Sequence, residues 1–188
     1  MKINDTLFII PARGGSKGLP RKNILPIKGK PLICYTVDAA RAVSNDESIC
    51  VSTDDNKIKQ IVEDYGLNIP FLRPEKLATD TAGTREVLLH AIDFYEKKKN
   101  QIFSKICLLQ PTSPLRNSHH IVDAHKLWKD TLDMVVSVKE SKENPYTLNT
   151  ENDNGLLEFD ITNYNTWYKS LSSYEGDVSI EPIPNITI

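Results

Sequence analysis

Four cations, Arg13, Lys17, Arg21 and Lys22, fall within ten residues, with Gly14, Gly15 and Gly18 interleaved among them. The stretch "IPARGGSKGLPRKN" follows the apolar run "LFII". A glycine-bearing turn at the C-terminal end of a buried strand lets backbone N–H groups, here those of Gly14, Gly15 and Ser16, converge on an anion. With four cations added, a triphosphate is the natural guest, because several fixed charges share its charge in a cleft. Spacing excludes two other glycine motifs: "GGSKG" is not G-x-G-x-x-G, and no G-K-[ST] closes a Walker loop. The competing reading is a solvated basic turn. What favours the anion site is the clustering of glycines and cations where an α/β sheet binds ligands.

The elements that must position this loop are legible as alternating patterns. Residues 6–12, 48–53, 68–72, 105–110 and 134–138 read as strands, most of them nearly continuous in apolar residues, as strands covered on both faces are. Between them, "PLICYTVDAARAV" opens with Pro31 in a first helical turn, and "DDNKIKQIVEDYG" is capped by Asp54 or Asp55 and stopped by Gly66. "TREVLLHAIDFYEKKK" places Val87, Ala91 and Phe94 on one stripe, and "SHHIVDAHKLWKDT" takes Ser118 as its cap. This order predicts an α/β domain with a mainly parallel sheet, whose strand C-termini share the ligand-binding edge.

The 188 residues suit one globular domain, with 39% apolar and 26% charged residues and a net charge of −2. That balance predicts no nucleic-acid or anionic-membrane partner, so an anion site must be built locally. No stretch approaches the roughly 18 apolar residues of a membrane helix, and the start does not read as a secretory signal. Cys34, Cys50 and Cys107 are scattered in apolar surroundings and read as core fillers in a reduced cytoplasm. The sequon at Asn185 therefore carries no weight. His119, His120 and His125 lack the i, i+4 spacing of a zinc helix.

"IPARGGSKGLPRKNI" resembles the N-terminal motif of the acylneuraminate cytidylyltransferases and their relatives for legionaminic, pseudaminic and other nonulosonic acids. "GKPLICYTVDAA", "VSTDD", "FLRPEKLATDTAGTREVLLHAI" and "LLQPTSPLR" match in order, so the resemblance covers about residues 6–146. It implies a three-layer, Rossmann-like nucleotide-diphospho-sugar transferase fold. It also implies transfer of CMP from CTP to the anomeric hydroxyl of a nine-carbon sugar acid, with Mg²⁺ assisting and pyrophosphate leaving. Such chemistry needs charge neutralisation and in-line positioning more than covalent participation by the protein.

By the same resemblance, Arg13 and Lys22 are the catalytic pair that holds the CTP phosphates, supplemented by Lys17 and Arg21. Asn23 contacts the nucleotide near the ribose and α-phosphate. Arg73 and the Thr84 hydroxyl face the cytosine edge, whose O2 and N3 accept hydrogen bonds while N4 donates. Asp80 orients that segment. Gln110 binds the sugar acid, and Arg116 buttresses "PTSPLR" beside it. Each has a plainer alternative: Arg73 as an exposed loop cation, Thr84 as a helix cap, Gln110 as the closure of a turn before Pro111, and Arg116 as purely structural. Asp54 and Asp55 read as helix caps rather than metal ligands.

Residues 1–148 thus form the expected nucleotidyltransferase domain, and 149–188 an atypical segment, polar and weakly periodic, serving as flap, dimer arm or partly disordered tail. Within it "LLEFDI" is a short strand and "IEPIPNITI" is extended. The family carries an Asp-x-Asp magnesium pair and a dimerisation segment late in its chain. Here "FDITN" offers Asp160 alone, with Thr162 in the second place, and in "NPYTLN" Thr147 stands where a lysine is common. The chain is also shorter than typical members, as a truncated, frameshifted or re-purposed form would be. The magnesium ligands stay unassigned, and a homodimer is expected from the family alone. Two other functions compete: a CTP-binding module without catalysis, and a related nucleotidyltransferase using another base or sugar.

Overall fold

The computed structural model of the protein describes residues 2–15 and 18–137, together with the backbone of 150–151 and 157–158. Strand β1 (Thr6–Pro11) is the centre of a parallel three-stranded sheet ordered β4-β1-β5, flanked by β4 (Ile49–Ser52) and β5 (Lys105–Leu108). The register pairs Phe8 with Ile49 and Cys107, and Ile9 with Cys50 and Leu108.

Successive β1 side chains point to opposite faces, and both faces are covered. Phe8 and Ile10 join a core with α1 (Leu32–Arg41), α2 (Asn56–Asp64) and Ile121 of α4 (Ser118–Leu127). Leu7 and Ile9 pack instead with Cys50, Ile106 and the Leu88–Ala91–Tyr95 stripe of α3 (Thr84–Lys99). Two apolar faces on one strand explain why "LFII" is continuous rather than alternating. The result is the three-layer α/β arrangement expected from the sequence.

Several expectations shift by a residue or an element. Helix α2 is capped by Asp55, one of the two aspartates expected there, whose side chain accepts from the N–H groups of Lys57 and Ile58. Asn117, not Ser118, caps α4, because its carboxamide reaches the N–H groups of both His119 and His120, and the His120 ring takes the Asn117 N–H in return. Thr84 is the first residue of α3 rather than its cap; Gly83 holds that position without a side-chain bond. On α3, Leu88 and Tyr95 are buried with Val87 and Ala91, while Phe94 is only partly so. Pro31 sits at the N-cap of α1, one position before the expected first turn.

Residues 68–72 form no strand. Pro70 lacks the N–H that a ladder needs, and Ile69 turns into the core as part of a non-ladder segment. Residues 134–137 are likewise irregular, and Val138 lies outside the described residues. Beyond them, β6 (Thr150–Glu151) pairs antiparallel with β7 (Leu157–Glu158), which is the part of "LLEFDI" that is described. The expectations for Thr147, Asp160, Thr162 and the rest of the C-terminal segment lie outside the described residues.

Candidate functional site

Strand β1 ends at Pro11, and the chain stays locked to its neighbour for one more residue, with the Ala12 N–H donating to Ser52 O at 2.9 Å. The basic loop therefore leaves the sheet from its centre, at the C-terminal edge. Its return is fixed as well. Residues Lys22–Ile24 form one turn of 3₁₀ helix, entered through Arg21 at φ 54°, and lead into the hairpin of β2 (Pro26–Ile27) and β3 (Lys30–Pro31). Lys28 and Gly29 turn that hairpin with φ of 49° and 81°, the two positive values of a type I′ turn.

The hairpin is pinned to the helices. Tyr35 donates its hydroxyl to Ile27 O at 2.6 Å, and Lys30 pairs with Asp38 while lying over the rings of Tyr35 and Tyr65. Lys22 thus stands on an anchored support at one end of the loop, and Arg13 at the other.

Between these ends the structure assembles a linked set of charges. Arg13 pairs with Asp80 at 2.8 Å and donates to Thr79 O at 3.2 Å, which ties the loop to the segment before α3. Buried Asn23 donates its amide N–H to Arg13 O at 3.1 Å and braces the loop across its base. Gly14 gives its N–H to Asp54 Oδ1 at 3.1 Å, and the same oxygen lies 3.6 Å from Arg73 Nη2.

Arg73 is no exposed cation. Its side chain is 4% accessible, its Nη2 donates to Ser52 O at 3.2 Å, and its Nη1 donates to Leu77 O at 3.4 Å. Burial lowers its pKa below the ordinary guanidinium value; Asp54 opposes that shift and Arg13 adds to it. An arginine keeps its charge through such a shift. The Nε–H is buried with no partner among the described residues.

Gln110 follows β5 on the same edge of the sheet, where Leu109 N–H donates to Ile9 O at 2.9 Å. Its side chain is exposed, while its carbonyl accepts from Arg116 Nη2 at 3.1 Å and from the Ser113 N–H at 3.3 Å. Arg116 therefore buttresses the "PTSPLR" turn, and burial lowers its pKa against a smaller opposing effect of Cys107. Thr84 is exposed at the start of α3. Gly15 and Arg21 are exposed on the loop, and Ser16 and Lys17 lie outside the described residues.

The residue that reading the sequence missed is Asp54. Its signal was the doubled aspartate in "STDD": one aspartate is enough to cap α2, so the second is free for another partner. With Asp55 spent on the cap, Asp54 turns to the loop and to Arg73.

Fold and site define an α/β protein with a cationic, glycine-bearing loop at the C-terminal edge of a parallel sheet. A family model for cytidylyltransferases matches residues 7–168. The chain belongs to that cytidylyltransferase family. It is 41% identical over 181 residues to the N-acylneuraminate cytidylyltransferase of Escherichia coli O18:K1:H7, covering 95% of this chain and 40% of that one. It is 43% identical over 132 residues to the CMP-N,N'-diacetyllegionaminic acid synthase of Legionella pneumophila, covering 70% and 56%. The chain thus spans about half the length of these relatives. A solved CMP:2-keto-3-deoxy-manno-octonic acid synthetase complexed with CTP shares the fold at a TM-score of 0.50 and 24% identity, over 64% of this chain and 46% of that one.

Proposed function

We propose that the chain transfers CMP from CTP to the anomeric hydroxyl of a sialic-acid-like nonulosonic acid. The hydroxyl oxygen forms a bond to the α-phosphorus and gives up its proton to solvent, the bond from that phosphorus to the bridging oxygen of the β-phosphate breaks, and pyrophosphate leaves. The observation that carries this reading is the convergence of Arg13, Gly14 and Arg73 at the sheet's C-terminal edge, with Asp54 and Asp80 holding the two arginines in place. Arg13 and Lys22 bind phosphate oxygens and neutralise the charge that grows on the leaving group. Arg21 and Lys17 add to that field. Asn23, already braced on Arg13, lies nearest the ribose and α-phosphate.

Arg73 reads the cytosine edge, and Thr84 completes that contact. Gln110 presents its amide to the sugar acid from a turn that Arg116 holds rigid. The E. coli and Legionella relatives carry different acids in their names at similar identity, so the acid belongs to this class without a single favourite.

Mg²⁺ is part of the proposal as the partner of the triphosphate. No group of three His, Cys, Asp or Glu converges among the described residues. Near the loop, Asp54 faces Gly14 and Arg73, and Asp55 caps α2. A homodimer and a cytoplasmic location, where CTP and reduced thiols coexist, accompany this reading. No helix among the described residues is long and apolar enough to cross a membrane.

The engagement of Asp54 and Asp55 favours one second reading, a module that binds CTP without transferring CMP. A pyrophosphate-release assay with CTP, Mg²⁺ and a panel of N-acetylneuraminic, legionaminic and pseudaminic acids decides. Turnover with one acid is expected. Calorimetric CTP binding with no pyrophosphate from any acid would leave the module instead.

A further inference from the structure

The Asp54 carboxylate joins the anion loop to the buried arginine. Its Oδ1 accepts the Gly14 N–H at 3.1 Å and faces Arg73 Nη2 at 3.6 Å, and its side chain is 23% accessible against 4% for Arg73. We infer that Asp54 is a positioning residue with two separable tasks, setting the loop for the triphosphate through Gly14 and setting Arg73 for the base. This rests on the reading of the site as a CTP site and says how one carboxylate couples its two halves.

The Gly14 N–H is spent on Asp54, so this amide is not a phosphate donor in the observed arrangement. What the bond does is fix where the loop begins its departure from β1, and so where the following N–H groups and Arg13 stand. The second task follows from the donor inventory of Arg73. Ser52 O and Leu77 O each take one terminal N–H and Asp54 faces Nη2, which leaves a second N–H on Nη1. A guanidinium held at both ends presents its remaining N–H groups in fixed directions. Cytosine offers N3 as an acceptor, whereas uracil offers an N–H there, so a fixed donor separates the two bases. Freed from its carboxylate, the same guanidinium tilts and reads either.

Two substitutions divide the tasks. Asp54→Asn keeps an oxygen for the Gly14 N–H and removes the charge facing Arg73. Asp54→Glu keeps the charge and moves the oxygens by one methylene away from Gly14. The probes are CTP, UTP and inorganic tripolyphosphate, titrated calorimetrically into each full-length protein after thermal unfolding confirms a folded state.

For Asp54→Asn, tripolyphosphate affinity stays near wild type while the CTP-over-UTP preference falls about tenfold, the loss of one charge-assisted contact. For Asp54→Glu, tripolyphosphate affinity falls and the preference is retained. If one variant does not fold, the other still decides. Folded variants that keep both wild-type tripolyphosphate affinity and the full CTP preference overturn the inference while the CTP reading stands. A parallel loss for all three probes in both variants also overturns it, since it marks general destabilisation. Wild-type protein that ignores CTP overturns both readings together.

Discussion

Gly14 sits so close to the cap of α2 that a single methyl group there has a calculable consequence. A Cβ at this position would lie 2.5 Å from Asp55 Oδ2 and 2.9 Å from Asp55 Cβ. Neither separation is tolerable, so either the loop retreats or Asp55 rotates. Rotation gives up the cap bonds to Lys57 and Ile58, at 2.7 and 3.1 Å, which costs about 1 kcal/mol. Residual overpacking against Asp55 Cβ brings Gly14→Ala to about 2 kcal/mol, or about 4–8 °C in melting temperature for a chain this size. A cycle isolates the cause. Asp55→Gly removes both clashing atoms, and glycine is itself a tolerated cap, costing only a few tenths of a kcal/mol. In the Asp55→Gly background, Gly14→Ala is therefore expected to cost under about 0.5 kcal/mol, with CTP affinity recovering toward that of Asp55→Gly alone. The assay is thermal or urea unfolding of all four proteins, paired with CTP titration. Gly14→Ala as stable as wild type, or equally costly in both backgrounds, would refute the reasoning.

Further outcomes follow from the same geometry. Asp80→Asn removes the exposed partner of Arg13, and such pairs contribute at most about 1 kcal/mol. Stability should therefore change little, while calorimetric CTP affinity falls about two- to fivefold, because Arg13 loses the carboxylate that holds it in place. The thiols give a pH test: burial pushes Cys50 and Cys107 up from an ordinary 9.0 to about 12. In the unfolded chain they ionise near 9, whereas the fold keeps them neutral, so their contribution is complete below 9 and lost as pH climbs toward 12. Unfolding free energy measured across that window should fall, and alkylation of buried Cys50 at pH 8 should require denaturant.

Apolar pattern made the sheet legible. "LFII" is buried whichever way its side chains point, and the structure covers both faces, with Phe8 and Ile10 on one side and Leu7 and Ile9 on the other. The same signal misled at 68–72, where Ile69 is buried without being in a ladder and Pro70 breaks one. Caps slipped by a residue because Asn117 and Ser118 are both good caps, and only the chain path decides which side chain reaches the free N–H groups. In the site, the cations and glycines are legible because anion binding dictates their types. Their partners are not: nothing in the order of residues says that Arg13 meets Asp80, or that one aspartate of a pair leaves its helix to face Arg73. Those contacts join residues distant along the chain and are set by packing.

The loop's grip on a triphosphate is tested directly by calorimetry of CTP with the wild type, Arg13→Ala and Lys22→Ala. Losing one charge-assisted contact costs about 1.5–3 kcal/mol, so each variant should bind CTP about ten- to a hundredfold more weakly while melting near the wild-type temperature. Folded variants that hold CTP as tightly as the wild type would contradict it.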